Sequence, residues 1–320
     1  MCFFWVVKTW GQAPAGLGQL DYDFYRDSCP HLPMIVRFGV HIAMRNDSRI
    51  AASLLRLHFH DCFVNGCDGS ILLDGNEDFE GEKNAFPNRK SVRGFEVIDY
   101  IKADVERVCP EVVSCVDILT LAARESVLLS GGPFWPVPLG RRDGVTASEQ
   151  TANQDLPSPL ESLEDITAKF TSKGLSVQDL VVLSGAHTLG FAQCFTFKHR
   201  LFNFKGTGGP DPTLDSSLLS NLRTSCGNGA KTDSKLNPLD ASSAYRFDNA
   251  FYSNLMSNAG LLESDQALMT DKSTASMVSG YSKSPFLFGR HFGESMIRLG
   301  RLGVITHPNG QIRRNCRFVN

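Results

Sequence analysis

Eight cysteines spread along the chain, Cys29, Cys62, Cys67, Cys109, Cys115, Cys194, Cys226 and Cys316, constrain its fold more than any other feature. An even set distributed this widely reads as four disulfides and an oxidising, secretory compartment, because cytosolic thiols are kept reduced. No CxxC pair occurs, which argues against a structural zinc or iron–sulfur site. Eight cysteines allow about 105 pairings, and spacing does not choose among them. A ninth, Cys2, stands apart in the apolar run Met1-Cys2-Phe3-Phe4-Trp5-Val6-Val7 ahead of Lys8. Residues 1–18 read as a truncated signal segment or a tail, and the ordered body as a single domain over 19–320. In an exported chain Asn46-Asp47-Ser48 is an acceptor pattern for N-glycosylation.

The 320 residues suffice for a large core, and 42% hydrophobic against 21% charged is the balance of a globular protein. A formal charge of −2 with no basic tract makes nucleic acid an unlikely partner. No run of about 18 apolar residues occurs, so membrane insertion is not expected. Apolar residues recur at helical spacing over 33–46, 49–60, 91–108, 115–129, 162–173, 177–183, 248–258, 273–281 and 285–299. Asp47 and Ser48 offer a cap between the first two. Residues 203–240, rich in Gly, Pro and Ser, read as surface loop with a short helix around 218–222. With no alternation strong enough for a large sheet, the fold class is mainly α, one chain forming two lobes around a cleft.

Arg56 and His60 are four residues apart on the second helical segment and therefore share a face. A fixed cation beside an imidazole suits peroxide heterolysis, since the imidazole moves a proton between the two oxygens while the cation stabilises developing charge. Such a pair is also commonly mere structure. His58 points elsewhere. The following run, Asp61 to Ser70, offers two carboxylates, a hydroxyl and glycine-shaped backbone: hard ligands for calcium, or equally a polar turn stapled by Cys62 and Cys67. Asp61 at a helix C-terminus faces the negative end of the dipole, which a bound cation would relieve. His187, in Leu183-Ser184-Gly185-Ala186-His187-Thr188, has small neighbours that would let a broad cofactor approach; alone, it is as readily a core histidine. Asp265 lies too far along the chain to be assigned to it by spacing.

These segments resemble the secreted plant haem peroxidases, the plant-type family that includes horseradish peroxidase. The resemblance covers Gln19 to Asn320. It is carried by Phe24-Tyr25 with Ser28-Cys29-Pro30, the run from Arg49 to Asp68, Val113-Ser114-Cys115, Gly140-Arg141-Arg142-Asp143, Leu183 to Thr188, and Gly310-Gln311-Ile312-Arg313 before Asn315-Cys316. It implies a two-lobed helical fold with haem b in the central cleft. Arg56 and His60 would be the distal arginine and general acid–base, Asn88 would hold the far nitrogen of His60, and Glu82 would support that network. His187 would ligate iron with Asp265 as its carboxylate partner.

The same resemblance implies two Ca2+ sites. One falls on Asp61, Asp68 and Ser70 with backbone oxygens of Val64 and Gly66. The other falls on Thr188, Asp240, Ser243 and Asp248 with a backbone contribution near Arg246. Ser243 and Ala244 stand where the family usually has threonine and proline, so the second site is expected to be looser. The implied disulfides are Cys29–Cys109, Cys62–Cys67, Cys115–Cys316 and Cys194–Cys226. Pro157 would meet phenols at the haem edge, near Phe86, Pro87, Leu160 and Thr196, the last at a position where an aromatic residue occurs in horseradish peroxidase. The implied function is oxidation of small phenolic reductants by hydrogen peroxide in successive one-electron steps, by a monomer outside the cell, in the cell wall or in the vacuole. A secreted binding scaffold that has lost turnover is the competing class. Retention of Arg56, His60, Asn88, His187 and Asp265 counts against it, and the absence of HExxH counts against a metallohydrolase.

Overall fold

The computed structural model describes residues 19–77 and 79–320, so the apolar leader and Cys2 lie outside the described residues. Four helices form the first group: α1 Leu32–Asn46, α2 Ile50–Phe63, α3 Phe95–Val108 and α4 Cys115–Leu129. α1 carries Pro33 in its first turn, where the missing N–H has no partner to lose. The expected cap of α2 differs: Arg49 occupies the cap position without a side-chain bond, while the Asp47 carboxylate accepts the Arg49 N–H at 2.9 Å. α3 starts at Phe95 rather than Ser91, because the chain turns through Gly94 at φ 101°. The Ser91 and Val92 amides are instead held in a turn by the Asn88 carbonyl.

α4 is buried over nearly its whole length and packs against α1, α2 and α3. Ser114 caps its start. Asp143, fully buried, accepts the N–H groups of Cys115 at 3.0 Å, Val116 at 2.9 Å and Arg313 at 3.0 Å. A carboxylate there satisfies donors that a helix start leaves open. Arg313 in turn donates to the Gly69 carbonyl at 2.6 Å, tying the C-terminal segment to the loop that follows α2. Arg141 and Asp117 form a fully buried pair at 2.7 Å, and the Tyr25 hydroxyl donates to the same carboxylate. Removing one member of such a pair typically costs about 3–5 kcal/mol. The quoted Gly140-to-Asp143 and Gly310-to-Arg313 motifs are thus anchors of α4 and of the loop beyond α2.

The remaining helices are α5 Glu149–Asp155, α6 Leu163–Ser172, α7 Val177–Ser184, α8 Lys198–Phe202, α9 Ser216–Ser225, α10 Ala250–Met256, α11 Glu263–Ala267, α12 Lys272–Lys283 and α13 Pro285–Leu299. Helix α7 opens with a capping box between Ser176 and Asp179. α7, α10, α12 and α13 pack together as a second group around Phe247, Tyr252, Phe288 and Phe292. One apolar core continues through both groups.

The 203–240 stretch is less irregular than expected, since Asp215 caps α9 and extends it to Ser225. Beneath it Phe197, Leu201, Leu214, Leu222, Leu261 and Leu262 form a satellite core beside Cys194–Cys226. Strands β1 Phe191–Gln193 and β2 Leu236–Pro238 pair antiparallel, too short for their alternation to show in sequence. All four implied disulfides are present: Cys29–Cys109, Cys62–Cys67, Cys115–Cys316 and Cys194–Cys226. Among the described residues no helix is long and apolar enough to cross a membrane.

Candidate active site

Helix α2 presents Arg56 and His60 to the same space, with Arg56 Nε 3.1 Å from His60 Nε2. The other ring nitrogen, Nδ1, is 2.5 Å from Asn88 Oδ1. An amide oxygen only accepts, so Nδ1 carries the hydrogen and Nε2 presents a lone pair. Asn88 is itself oriented by donating through Nδ2 to the backbone carbonyl of Glu82 at 2.8 Å. Support from Glu82 therefore comes from its main chain rather than from its carboxylate. Burial, then the Arg56 cation, hold His60 well below the usual imidazole range, against an Asn88 bond that favours the charged form. Burial also brings Arg56 down to about 10, which leaves it cationic at neutral pH.

Two groups not foreseen from sequence fix Arg56: its Nη2 donates to the Pro87 carbonyl at 2.7 Å and to Ser91 Oγ at 3.1 Å. Both lie on the turn between Glu82 and α3, and only a folded chain brings them to α2. His58 points away as expected. It is buried beside Cys62 and is held neutral, its pKa about 3, by burial and by Arg141.

His187 follows α7 in a short 3-10 turn, Gly185–Thr188. Its Nδ1 is 2.8 Å from Asp265 Oδ1 on α11, a carboxylate only 3% exposed. Nε2 has no hydrogen-bond partner among the described residues, and 39% of the side chain is accessible. Burial opposes its charged form, but Asp265 outweighs that and raises its pKa; Arg56 acts in the opposite sense from across the cleft. An accessible imidazole with one nitrogen fixed by a buried carboxylate and the other free fits an axial ligand of a haem, whose second-shell partner orients the ring. Gly185 needs a different explanation from cofactor approach. A Cβ there would meet the Tyr252 hydroxyl and lie 2.7 Å from Phe288, so its smallness serves packing against α10 and α13.

The loop beyond α2 gathers Asp61, Asp68, Ser70 and the Glu82 side chain. Asp61 is fully buried; its Oδ2 accepts the Gly69 N–H at 3.1 Å, while Oδ1 has no partner. Among the described residues, Ser70 Oγ and both Glu82 carboxyl oxygens are likewise buried with no partner at full hydrogen-bond geometry. Burial, then Asp68 and Glu82, push Asp61 well above the carboxylate range. Glu82 is pushed to about 8, chiefly by burial. Buried oxygens left unpaired and repelling one another fit a hard cation.

On the other side, Thr188 Oγ1 lies 3.4 Å from Asp240 and 3.2 Å from Asp248, and Ser243 Oγ lies 3.3 and 3.0 Å from the same carboxylates. Arg246 touches this group through its amide, which donates to the Ser243 carbonyl. No group of three or more His, Cys, Asp or Glu suited to a metal occurs among the described residues. Hydroxyl and backbone oxygens would have to complete either set.

At the rim, the Phe86 N–H donates to Asn153 Oδ1 at 2.7 Å, joining the Glu82–Asn88 loop to α5, whose end leads to Pro157. Phe86 and Leu160 are exposed. The Thr196 hydroxyl is turned back onto the Gln193 carbonyl at 2.7 Å.

Residues 36–284 match the family described as Peroxidase. The chain is 64% identical over 301 residues to Peroxidase 10 of Arabidopsis thaliana, covering 93% of this chain and 86% of that protein. It is 55% identical to Peroxidase N of Armoracia rusticana, with 94% and 91% covered, and 52% identical to Peroxidase 15 of Ipomoea batatas, with 94% and 93% covered.

Proposed function

The chain belongs to the plant-type haem peroxidase family, and from that premise we propose that it is a secreted enzyme that uses hydrogen peroxide to oxidise small phenolic reductants one electron at a time. The observation that carries the site assignment is a pair of oriented imidazoles, His60 held by Asn88 with Arg56 at its other nitrogen, and His187 held by Asp265. The haem supplies the redox chemistry toward peroxide and reductant.

The protein supplies proton transfer and orientation. His60 Nε2 would take a proton from one peroxide oxygen and return it to the departing one, while Arg56 would stabilise the negative charge that develops there. Asn88 keeps Nδ1 protonated, so the basic nitrogen always faces the cleft. His187 offers Nε2 to iron, and Asp265 accepts the Nδ1 hydrogen, fixing the ring and strengthening its donation. The Pro157 carbonyl accepts the hydroxyl hydrogen of a phenol at the cleft mouth.

The cofactors are haem b and two Ca2+. One calcium is held by Asp61, Asp68 and Ser70 with the Val64 and Gly66 carbonyls, the other by Thr188, Asp240, Ser243 and Asp248 with backbone near Arg246. The enzyme acts as a monomeric single domain over 19–320, outside the cell or in its wall, with Asn46 available for a glycan. Purified protein reconstituted with haem should show a haem absorption band and oxidise a simple phenol only when peroxide is added. A protein that binds no haem, or binds it without peroxide-dependent turnover, would overturn this reading.

A further inference from the structure

The aromatic cluster behind His187 leads away from the cleft. The His187 ring centroid is 6.2 Å from that of Phe251, Phe251 is 5.1 Å from Tyr252, and Tyr252 is 5.2 Å from Tyr281. Spacings like these are ordinary aromatic packing. What sets this row apart is the chemistry at its two hydroxyls. Tyr252 is fully buried, and its hydroxyl donates to the Val181 carbonyl at 3.0 Å. A carbonyl cannot take up the proton that a phenol releases when oxidised. The Tyr281 hydroxyl instead lies 2.8 Å from His291 Nδ1, within proton-transfer reach of a base.

Gln178 Nε2 sits 3.3 Å from the same hydroxyl and 2.9 Å from Nδ1, so three polar groups converge at the end of the row. His291 is half-buried on α13, beside the exposed Arg290, whose Nη2 is 3.1 Å from His291 Nε2. A guanidinium only donates, so while it holds Nε2 a neutral ring carries its hydrogen on Nδ1. The same guanidinium lies 4.0 Å from Glu294, and once turned there it lets Nε2 carry the hydrogen and Nδ1 present its lone pair to Tyr281. The row therefore runs from the candidate iron ligand to Tyr281, itself only 4% exposed, whose partner His291 is half-buried and leads to the surface at α13. Tyr25 also has a base at its hydroxyl, Asp117, but among the described residues its ring meets Phe24 alone, and it does not join this row.

We propose that Tyr281, with His291 as its proton acceptor, is a second redox site, oxidised by one electron across Tyr252 and Phe251 and reduced again by phenolic donors that reach the surface at α13 rather than the cleft. Tyr281 loses an electron to the peroxide-oxidised haem pocket, which is reduced by one equivalent, and its hydroxyl proton moves to His291 Nδ1. A surface phenol then returns one electron, the proton comes back from His291, and the phenol's own proton leaves to solvent. Tyr252 serves only as a bridge. The inference rests on the peroxidase reading, so its test must separate the two.

Haem-loaded protein is mixed with peroxide in the absence of reductant, frozen rapidly and examined by electron paramagnetic resonance, with turnover of a small phenol measured on the same samples. The wild type should give a tyrosyl radical signal. Y281F should lose it while keeping small-phenol turnover. H291Q, which retains the phenol and removes the base, should greatly reduce it, and Y252F should keep it. Y281W should replace it with a tryptophanyl signal, which guards against loss through misfolding. Normal phenol turnover with no tyrosyl signal, or a signal unchanged in Y281F and therefore arising at another tyrosine, overturns this proposal and leaves the peroxidase reading intact. Loss of peroxide-dependent turnover in the wild type overturns both.

Discussion

The α2 wall of the cleft takes its two chemical groups from one helix, Arg56 and His60 a turn apart, whereas the opposite wall joins His187 to a carboxylate 78 residues away. Burial weighs on both imidazoles, yet their neighbours act in opposite directions. Arg56 drives His60 further down, and Asp265 brings His187 up. One imidazole is thereby kept neutral, its Nε2 lone pair turned toward Arg56 Nε and available for proton transfer, while the other is held in a fixed orientation by its carboxylate. A change of partner, rather than a change of residue, gives the two histidines different work.

The largest break in that comparison should come from His60→Ala. Removing a general acid–base group typically costs about 100- to 10,000-fold, so stopped-flow measurement should show the peroxide step slowed on that scale while reduction by phenol is little changed. In the wild type the peroxide step should stay level as pH falls through the ordinary imidazole range, because the folded pKa of His60 is depressed and its base form persists into acid. Arg56→Leu removes the cation that adds to the effect of burial. Its acid limb should move to higher pH, and an unmoved limb would contradict the proposed coupling.

Stripping calcium from the loop beyond α2 should be next in size. Asp61 directly follows His60, and among the described residues its Oδ1, Ser70 Oγ and the Glu82 carboxyl are buried with no partner at full hydrogen-bond geometry. Loss of a counter-charge there relaxes the end of the helix that carries both reacting groups. A displacement of about 1 Å can cost on the order of 100-fold. Graded chelation, followed by metal content, haem spectrum and peroxide rate together, should show the rate falling before haem is lost, and Asp68→Ala should reproduce it. Active, haem-loaded protein containing no calcium would sink the idea.

On the other wall, Asp265→Ala should cost about 10- to 100-fold in haem affinity or turnover, the usual effect of removing a partner that orients a ligand. The helix α2 should be indifferent to it, so the His60–Asn88 geometry, followed by the rate of cyanide binding to ferric haem, should change much less than turnover. If the two fall together, the walls are coupled more tightly than their separate construction implies.

The same contrast explains what could be read from sequence. Arg56 and His60 are related by helix periodicity alone, so their shared face was legible before any fold was known. Asp265 was not, because nothing in the chain between two residues 78 positions apart encodes its approach to His187; only the family resemblance supplied it. Ser91 and the Pro87 carbonyl were not linked to Arg56 for the same reason, since a turn closing onto α2 has no periodic trace. Gly185 was misread: its smallness looked like room for a cofactor and is in fact the space taken by Tyr252 and Phe288. The disulfide count was legible, but the pairing depended on resemblance, because loop spacing does not encode it.

The smallest expected effect is the one that asks whether the two calcium sites are as unequal as the walls they support. Ser243 Oγ already lies 3.0 Å from Asp248 and 3.3 Å from Asp240, within the same oxygen set as Thr188. Its hydroxyl is therefore in place, and what it lacks is the methyl that restricts rotation. Ser243→Thr should add no new ligand and only narrow the rotamers that the folded site must freeze out, an effect of about 0.5–1 kcal/mol at most on the side-chain entropy scale. Any calcium bound beside Thr188 should then survive a modestly higher chelator concentration, with the peroxide step untouched and haem retention slightly improved, because Thr188 adjoins His187 while His60 adjoins the other proposed site. Calorimetric calcium titration of the wild type and Ser243→Thr, each with Asp68→Ala to silence the first site, would isolate the change. If Ser243→Thr left this affinity unchanged, rotamer restriction would not be what distinguishes the second site. If it altered the peroxide step as strongly as Asp68→Ala, the assignment of one ion to each wall would be wrong.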